Sequence, residues 1–144
     1  RTDAYNGYTL EGRTRIHMEL IKGIRQVIGD KSLFALRLGG CDYTVGGTTI
    51  EEAVWACRRF EEAGVDLLDI SGGTCCYARK GHNYPGYFGD ISEAVKKEVH
   101  IPVLLTGGVR TVQDAEMLLK EEKADMIGVG RIITAKPDWG MELI

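Results

Sequence analysis

Two segments of the chain combine glycine with arginine in a way that suits phosphate binding. They are Thr106–Arg110 (TGGVR) and Gly128–Arg131 (GVGR). Glycine lets the backbone approach a ligand closely, and a neighbouring arginine can add a charge-assisted hydrogen bond to an anion. Arg131 has a simpler alternative interpretation as a solvated cation at a helix start, where the helix dipole mildly disfavours it. We predict a phosphate cradle, formed by Gly107, Gly108, Gly130 and Arg131.

Arg37 is the second informative residue, because it lies inside the apolar run LFALRL at positions 33–38. A charge in a buried strand is costly unless it meets a partner. We favour a contact between Arg37 and a ligand at the mouth of the strand. The alternative is a structural ion pair with Asp66 or Asp69.

Arg37 and the two glycine–arginine segments can form one site only if the strands before them end at the same side of a sheet. Apolar runs with strand character alternate with helical patterns in which apolar residues recur every three or four positions. The runs are Leu33–Leu38, Val65–Ile70, Pro102–Thr106 and Ala124–Val129. Strands that are joined through helices lie parallel, with right-handed crossovers. The sequence therefore predicts an α/β fold with four parallel strands.

Helix boundaries are also predicted from local signals. Thr49, Asp90 and Thr111 each stand three residues before an acidic residue, as in a capping box. Gly29 and Gly64 are predicted helix ends. On the first helix the apolar residues predict the buried face; they are Ile16, Leu20, Ile24 and Val27. His17, on the same helix, is expected to be exposed to solvent.

Glycines follow all four predicted strands at the carboxyl end, where parallel sheets and barrels keep their binding sites. Gly72 and Gly73 follow the second strand, and the connection 71–89 adds Tyr84 and Tyr87. We expect these four residues, together with Arg110, to line a pocket. The alternatives are ordinary turn glycines and a plain surface loop.

Composition excludes several classes of protein. The 144 residues carry a net charge of −3, with 44% hydrophobic and 27% charged residues, as in an ordinary folded domain. We expect no nucleic-acid partner, no membrane segment, a cytoplasmic location and no metal. The four cysteines, whose spacing fits no metal site, are expected to be reduced thiols; they are Cys41, Cys57, Cys75 and Cys76.

Two other α/β folds are considered. The segment that starts at Gly128 resembles a dinucleotide-binding Gly-x-Gly-x-x-Gly loop, but its third glycine position is Ile133, so that fold is not supported. A flavodoxin-like sheet remains a minor alternative.

A series of motifs, in unbroken order from Arg1 to about Asp138, resembles the old yellow enzyme family of flavin oxidoreductases. The motifs are Arg1–Gly7 (RTDAYNG), Glu11–Arg13 (EGR), Arg37, Asp42 and Gly47 before Glu51–Ala53, Ala63–Asp66 (AGVD), Pro85–Tyr87 (PGY), Ile101–Val103 (IPV), Gly107–Arg110 (GGVR) and Ala124–Arg131 (ADMIGVGR). The sequence departs from the family pattern at Asn6, Tyr8 and Gly12.

The resemblance implies an eight-unit β/α barrel that binds FMN, is reduced by NADH or NADPH, and passes hydride to an activated alkene or another small-molecule acceptor. By the same resemblance Arg37 would lie beside the flavin N1 and C2 carbonyl, and the glycine–arginine segments would bind the FMN phosphate. The family residues that grip the substrate oxygen and donate the proton would precede Arg1. We therefore expect no catalytic residue in this chain.

The predicted strand count defines what the chain would be on its own. A closed barrel needs eight strands and about 250 residues, whereas four strands are predicted here. We expect residues 1–144 to form one partial domain, the second half of a barrel, with open sheet edges. Its inner face would pack against an N-terminal half or another copy of the chain, and the isolated chain would be inactive. The alternative function is a noncatalytic half-barrel fragment or scaffold that self-associates.

Overall fold

A computed structural model describes residues 1–74 and 78–143, so Cys75 and Cys76 lie outside the described residues. Helices and strands alternate along the chain. The helices are α1 (Leu10–Ile28), α2 (Ile50–Glu62), α3 (Gly89–Lys96), α4 (Val112–Lys120) and the short α5 (Arg131–Ala135), followed by a 3-10 turn at Trp139–Leu143. The strands are β1 (Ala35–Gly39), β2 (Leu67–Ser71), β3 (Val103–Thr106) and β4 (Met126–Gly128).

The four strands form one parallel sheet in the order β1-β2-β3-β4. The prediction of an α/β half-barrel, with β1 and β4 at its edges, is confirmed. Each strand begins one or two residues later than predicted. Backbone amides just before or at two of the strand starts donate to side chains. The Phe34 amide donates to Asp66 at 2.8 Å, and the Val103 amide donates to Asp125 at 2.9 Å.

The two faces of the sheet differ sharply in burial. Side chains on the helix-covered face, such as Leu68, Ile70 and Leu105, are fully buried and form the core with α2 and α3. The opposite face carries alternate residues of the strands, as the two-residue period requires. One row across it consists of Arg37, Asp69, Leu104 and Met126. The outer members of this row, Arg37 and Met126, are exposed among the described residues, so this inner face is open at both edges of the sheet.

Two of the three predicted capping boxes are present. Thr49 with Glu52 and Thr111 with Asp114 each exchange both hydrogen bonds at the starts of α2 and α4. The third prediction is wrong, because α3 begins at Gly89 and places Asp90 in its first turn. The Asp90 carboxylate instead accepts from the Tyr43 hydroxyl at 2.8 Å and from Arg79 at 2.9 Å. Tertiary partners therefore override the local capping signal.

The predicted buried face of α1 is also wrong. Ile16 and Leu20 are more than half exposed, and Val27 is 86% exposed. The helix packs against α2 through a different face, on which Ile21 is buried and His17 lies 5.6 Å from the Phe60 ring. Because α1 has a described neighbour on one side only, its strongest apolar stripe is left uncovered. His17 is correspondingly not the solvent-exposed residue that was expected.

Candidate functional site

A cavity of about 710 Å³ opens on the inner face at the carboxyl ends of the strands. This volume lies within the range of pockets that bind small ligands and cofactors. Predicted site residues on its wall are Arg37, Tyr87, Gly107, Gly108, Arg110, Gly130 and Arg131. The topology brings them together because all four strands are parallel, so the loops after β3 and β4 begin beside the carboxyl ends of β1 and β2.

The loop after β3 needs glycine at two successive positions. Gly107 and Gly108 have φ values of 115° and 75°, a region that other residues rarely adopt. A Cβ atom on Gly107 would lie 2.8 Å from the Tyr87 ring, and one on Gly108 would lie 2.7 Å from the Tyr84 carbonyl oxygen. The loop therefore packs directly against the segment before α3, and this contact shapes one wall of the cavity.

The loop after β4 contributes two features to the cavity wall: open backbone at Gly130 and the positive charge of Arg131. A Cβ atom on Gly130 would meet no described atom within 4 Å. Arg131 follows at the start of α5, and its Nη2 donates to the Tyr87 hydroxyl at 3.0 Å. Tyr87 is buried, with its ring edge-on to Phe88 at 4.7 Å. Tyr87 thus connects the two loops. An open backbone beside a guanidinium is an arrangement that suits an anion.

Arg37 forms an ion pair with Asp69, its register partner on β2. Asp69 Oδ2 accepts from Arg37 Nε at 2.8 Å and from Nη2 at 2.6 Å. The alternative pairing with Asp66 is wrong, because Asp66 accepts from Arg25 at 2.6 Å. The Arg37 side chain is 66% exposed, and both members of the Arg37–Asp69 pair line the cavity. An ion pair and a ligand contact are therefore compatible for this arginine.

Three predicted pocket residues lie outside the cavity wall. Gly73 packs against the carboxylate of Asp42, and its neighbour Gly72 is buried beside Gly39. Hydrogen bonds from the amides of Thr74 and Thr48 hold the pKa of Asp42 below its ordinary value. Tyr84 is half exposed, with its hydroxyl 2.9 Å from His82 Nδ1. Cavity formation thus depends on the loops after β3 and β4 more than on that after β2.

The sequence analysis assigned no individual site role to Asp69, Ser71 or Thr106, which also line the cavity. The two-residue strand period was the available signal, since it places Asp69 and Ser71 on one face of β2. Trp139 is buried, and its Nε1 donates to the Arg110 carbonyl at 3.0 Å. This bond ties the C-terminal turn to the wall of the cavity.

Within residues 1–74 and 78–143, no cluster of three or more His, Cys, Asp or Glu side chains could hold a metal ion. None of the described helices has the length and apolar character that a membrane span requires.

Fold and cavity together define half of an eight-unit β/α barrel with a pocket at the strand carboxyl ends. The chain belongs to the NADH:flavin oxidoreductase / NADH oxidase family, whose model matches residues 1–143. The resemblance drawn from the sequence motifs is therefore confirmed.

Curated relatives are longer than this chain. It is 32% identical over 143 residues to an NADH oxidase from Thermoanaerobacter brockii, covering 96% of the chain and 22% of that protein. It is 34% identical over 142 residues to an NADPH dehydrogenase from Halalkalibacterium halodurans, covering 99% of the chain and 41% of the relative. The chain thus spans less than half of the length of each of these relatives.

Solved structures agree with the fold. A 2-naphthoyl-CoA reductase in complex with 2-naphthoyl-CoA superposes with a TM-score of 0.87 at 28% identity, over 99% of this chain and 22% of that chain. Morphinone reductase superposes with a TM-score of 0.72 at 20% identity, over 99% of this chain and 36% of its own. The second likeness concerns the fold alone.

Proposed function

We propose that this chain forms the flavin-phosphate half of an FMN-dependent NAD(P)H oxidoreductase of the old yellow enzyme type. The observation that carries the proposal is the cavity wall on which the loops after β3 and β4 meet around Tyr87, with Arg131 beside open backbone at Gly130. The family match supports a flavin, and relatives named NADH oxidase and NADPH dehydrogenase support NADH or NADPH as reductant. A cytoplasmic location is part of the same proposal.

The cofactor and the residues of the cavity wall have distinct roles in this proposal. Bound FMN would supply hydride transfer from NADH or NADPH to an activated alkene or another acceptor. Arg131 and the Gly107, Gly108 and Gly130 backbone would bind the phosphate. Arg37 would direct its positive charge toward the region where negative charge develops on reduction, which stabilises the reduced state.

Removal of the Arg131 guanidinium tests the phosphate assignment. We expect Arg131→Ala to weaken FMN binding to the full-length protein by about 1.5–3 kcal/mol, the worth of a charged hydrogen bond. This corresponds to a dissociation constant roughly 10 to 150 times larger. Fluorescence titration of the apoprotein with FMN measures it, and unchanged affinity would refute the assignment.

Two control variants separate the direct contact from its alternatives. Tyr87→Phe removes the hydroxyl that receives the Arg131 hydrogen bond but keeps the ring against Gly107. We expect it to retain most of the FMN affinity. Arg58→Ala removes a surface cation that is 3.6 Å from Glu98 and does not line the cavity, so its effect on affinity should be negligible. A loss in Tyr87→Phe as large as in Arg131→Ala would assign the effect to loop packing instead.

We further propose that the inner face and the exposed stripe of α1 are covered in the working protein by an N-terminal half of the same polypeptide. Within residues 1–74 and 78–143, β1 and β4 each have an unpaired edge and the inner sheet face is exposed at both ends; these features and the greater length of the relatives support this. The residues that would grip the substrate and donate the proton belong to that half in this proposal, so this chain alone would hold cofactor-binding but not catalytic residues. The noncatalytic scaffold remains the alternative for the chain by itself.

A further inference from the structure

The carboxylate of Asp69 occupies a singular position in the cavity. The charged residues on the described wall are Arg37, Asp69, Arg110 and Arg131, so Asp69 is the one acid facing three arginines. Its side chain is only 17% exposed, whereas that of Arg37 is 66% exposed. The acid is therefore the fixed member of the Arg37–Asp69 pair, and the arginine is the member that reaches into the cavity.

The hydrogen bonds of the pair are one-sided. Both bonds from Arg37 end on Asp69 Oδ2, while Oδ1 is buried and has no hydrogen-bond partner among the described residues. Arg37 donates to this one oxygen through both Nε and Nη2, and Nη1 has no partner within the described part of the chain. Asp69 thus fixes one edge of the guanidinium and leaves the other edge available to a ligand.

The rest of the row cannot hold or neutralise Arg37. Leu104 and Met126 continue the same register row across β3 and β4, and both are apolar. The net charge of the row is therefore close to zero with Asp69 ionised, and would be +1 without it. A ligand that changes its own charge beside Arg37 responds to this difference, because its interaction energy depends on the summed charge of the pair.

We propose that Asp69 is a positioning residue that holds Arg37 toward the bound flavin and, by offsetting its charge, sets the reduction potential of the FMN below the value that an unpaired arginine would give. This inference rests on the proposed function. A merely structural ion pair between β1 and β2 would affect unfolding and leave the potential unchanged.

The test is the midpoint potential of FMN bound to the full-length protein. Asp69→Asn keeps an oxygen that can accept from Arg37 but removes the negative charge, so we expect an upward shift of the potential. Asp69→Ser, a smaller neutral variant, should shift it in the same direction. Asp69→Glu retains the charge and should stay near the wild-type potential. Arg37→Ala should shift the potential downward, because the cation itself is lost.

A matched control comes from the ion pair between Arg25 on α1 and Asp66, the residue just before β2. Asp66→Asn removes the same charge from a pair of equal N–O distance, 2.6 Å, that does not line the cavity. We expect it to leave the potential unchanged.

The outcomes distinguish this inference from the proposal on which it rests. A wild-type protein that binds no FMN would refute the proposed function. If FMN binds and Arg37→Ala lowers its potential while neutral substitutions of Asp69 leave it unchanged, only the role of Asp69 is overturned. A shift with Asp69→Glu as large as with Asp69→Asn would likewise overturn the charge argument.

Discussion

Glu93 on α3 pairs with two lysines through one carboxylate. Its oxygens accept from Lys97 at 2.7 Å, one turn along the helix, and from Lys123 at 2.5 Å, after α4. The bonds from Lys123 and then Lys97 lower the pKa of Glu93 from its ordinary value of 4.5 to about 2. The charged form of Glu93 is thus preferred in the folded chain.

This depressed pKa predicts a defined pH dependence. Glu93 should contribute its full stabilisation above about pH 4.5, and that contribution should disappear as the pH falls through the folded-state pKa near 2. The destabilisation caused by Glu93→Gln, measured by urea unfolding at fixed protein concentration, should therefore be larger at pH 6 than at pH 2. Glu98→Gln, at a looser surface pair with Arg58, should show little difference. An equal cost of Glu93→Gln at both pH values would contradict the assignment.

At the scale of single residues, sequence reasoning located cations and glycines better than it located their partners. Gly107, Gly108 and Arg131 were predicted because residue type and position after a strand suffice to place them at one edge. The choice between Asp66 and Asp69 for Arg37 needed the register of β1 against β2, which no local signal contains. Asp90 was also misassigned, because its partners Tyr43 and Arg79 lie 47 and 11 residues before it and no local capping signal contains them.

Helix α1 contains two glycines in different surroundings, which gives a test at the scale of the element. A Cβ on Gly12 would lie 2.5 Å from the Asn6 carbonyl oxygen and 2.8 Å from its side-chain oxygen, whereas one on Gly23 would meet nothing within 4 Å. We expect Gly23→Ala to stabilise the chain by roughly 0.5–1 kcal/mol, the usual gain of alanine in a helix. Gly12→Ala should instead destabilise it, by about 1–3 kcal/mol for an overpacked site. Thermal or urea unfolding measures both, and stabilisation by Gly12→Ala would contradict the packing.

The same contact explains a departure from the family pattern. Asn6 accepts from the amides of Tyr8 at 2.9 Å and Thr9 at 3.2 Å, so its side chain shapes the entry to α1 and occupies the space beside Gly12. The unusual residues at positions 6 and 12 are therefore complementary. The motif resemblance treats them as separate differences, because their contact exists only in the folded entry loop.

The elements themselves were largely predictable from periodicity, and the face of α1 was not. Apolar spacing identifies a stripe, but it does not say whether a neighbour within the chain will cover it. Ile16, Leu20 and Val27 form such a stripe and remain exposed, while His17 packs on Phe60 through the adjacent face. A helix at the boundary of a partial barrel needs two apolar faces, and the stronger one here belongs to the uncovered side.

For the whole molecule, the open sheet leads to a prediction about the chain in isolation. Apolar side chains on the inner face, the α1 stripe and two unpaired strand edges should cause the 144-residue chain to self-associate. Light scattering should therefore show oligomers, and the purified chain should lack FMN-dependent enone reduction. A monodisperse monomer, or turnover by the chain alone, would contradict this prediction. A protein that also contains the N-terminal half serves as the control and should be active.

The hydrogen bond between Trp139 Nε1 and the Arg110 carbonyl has an optical consequence. It holds a buried indole against the loop that shapes the cavity, whereas Trp55, on α2, has Arg59 stacked 4.6 Å from its ring on the far side of the sheet. With the proposed flavin in the cavity, light absorbed by Trp139 would pass to it without emission. Loss of tryptophan fluorescence on addition of FMN would therefore report occupancy of the cavity in the proposed function, without any attached dye.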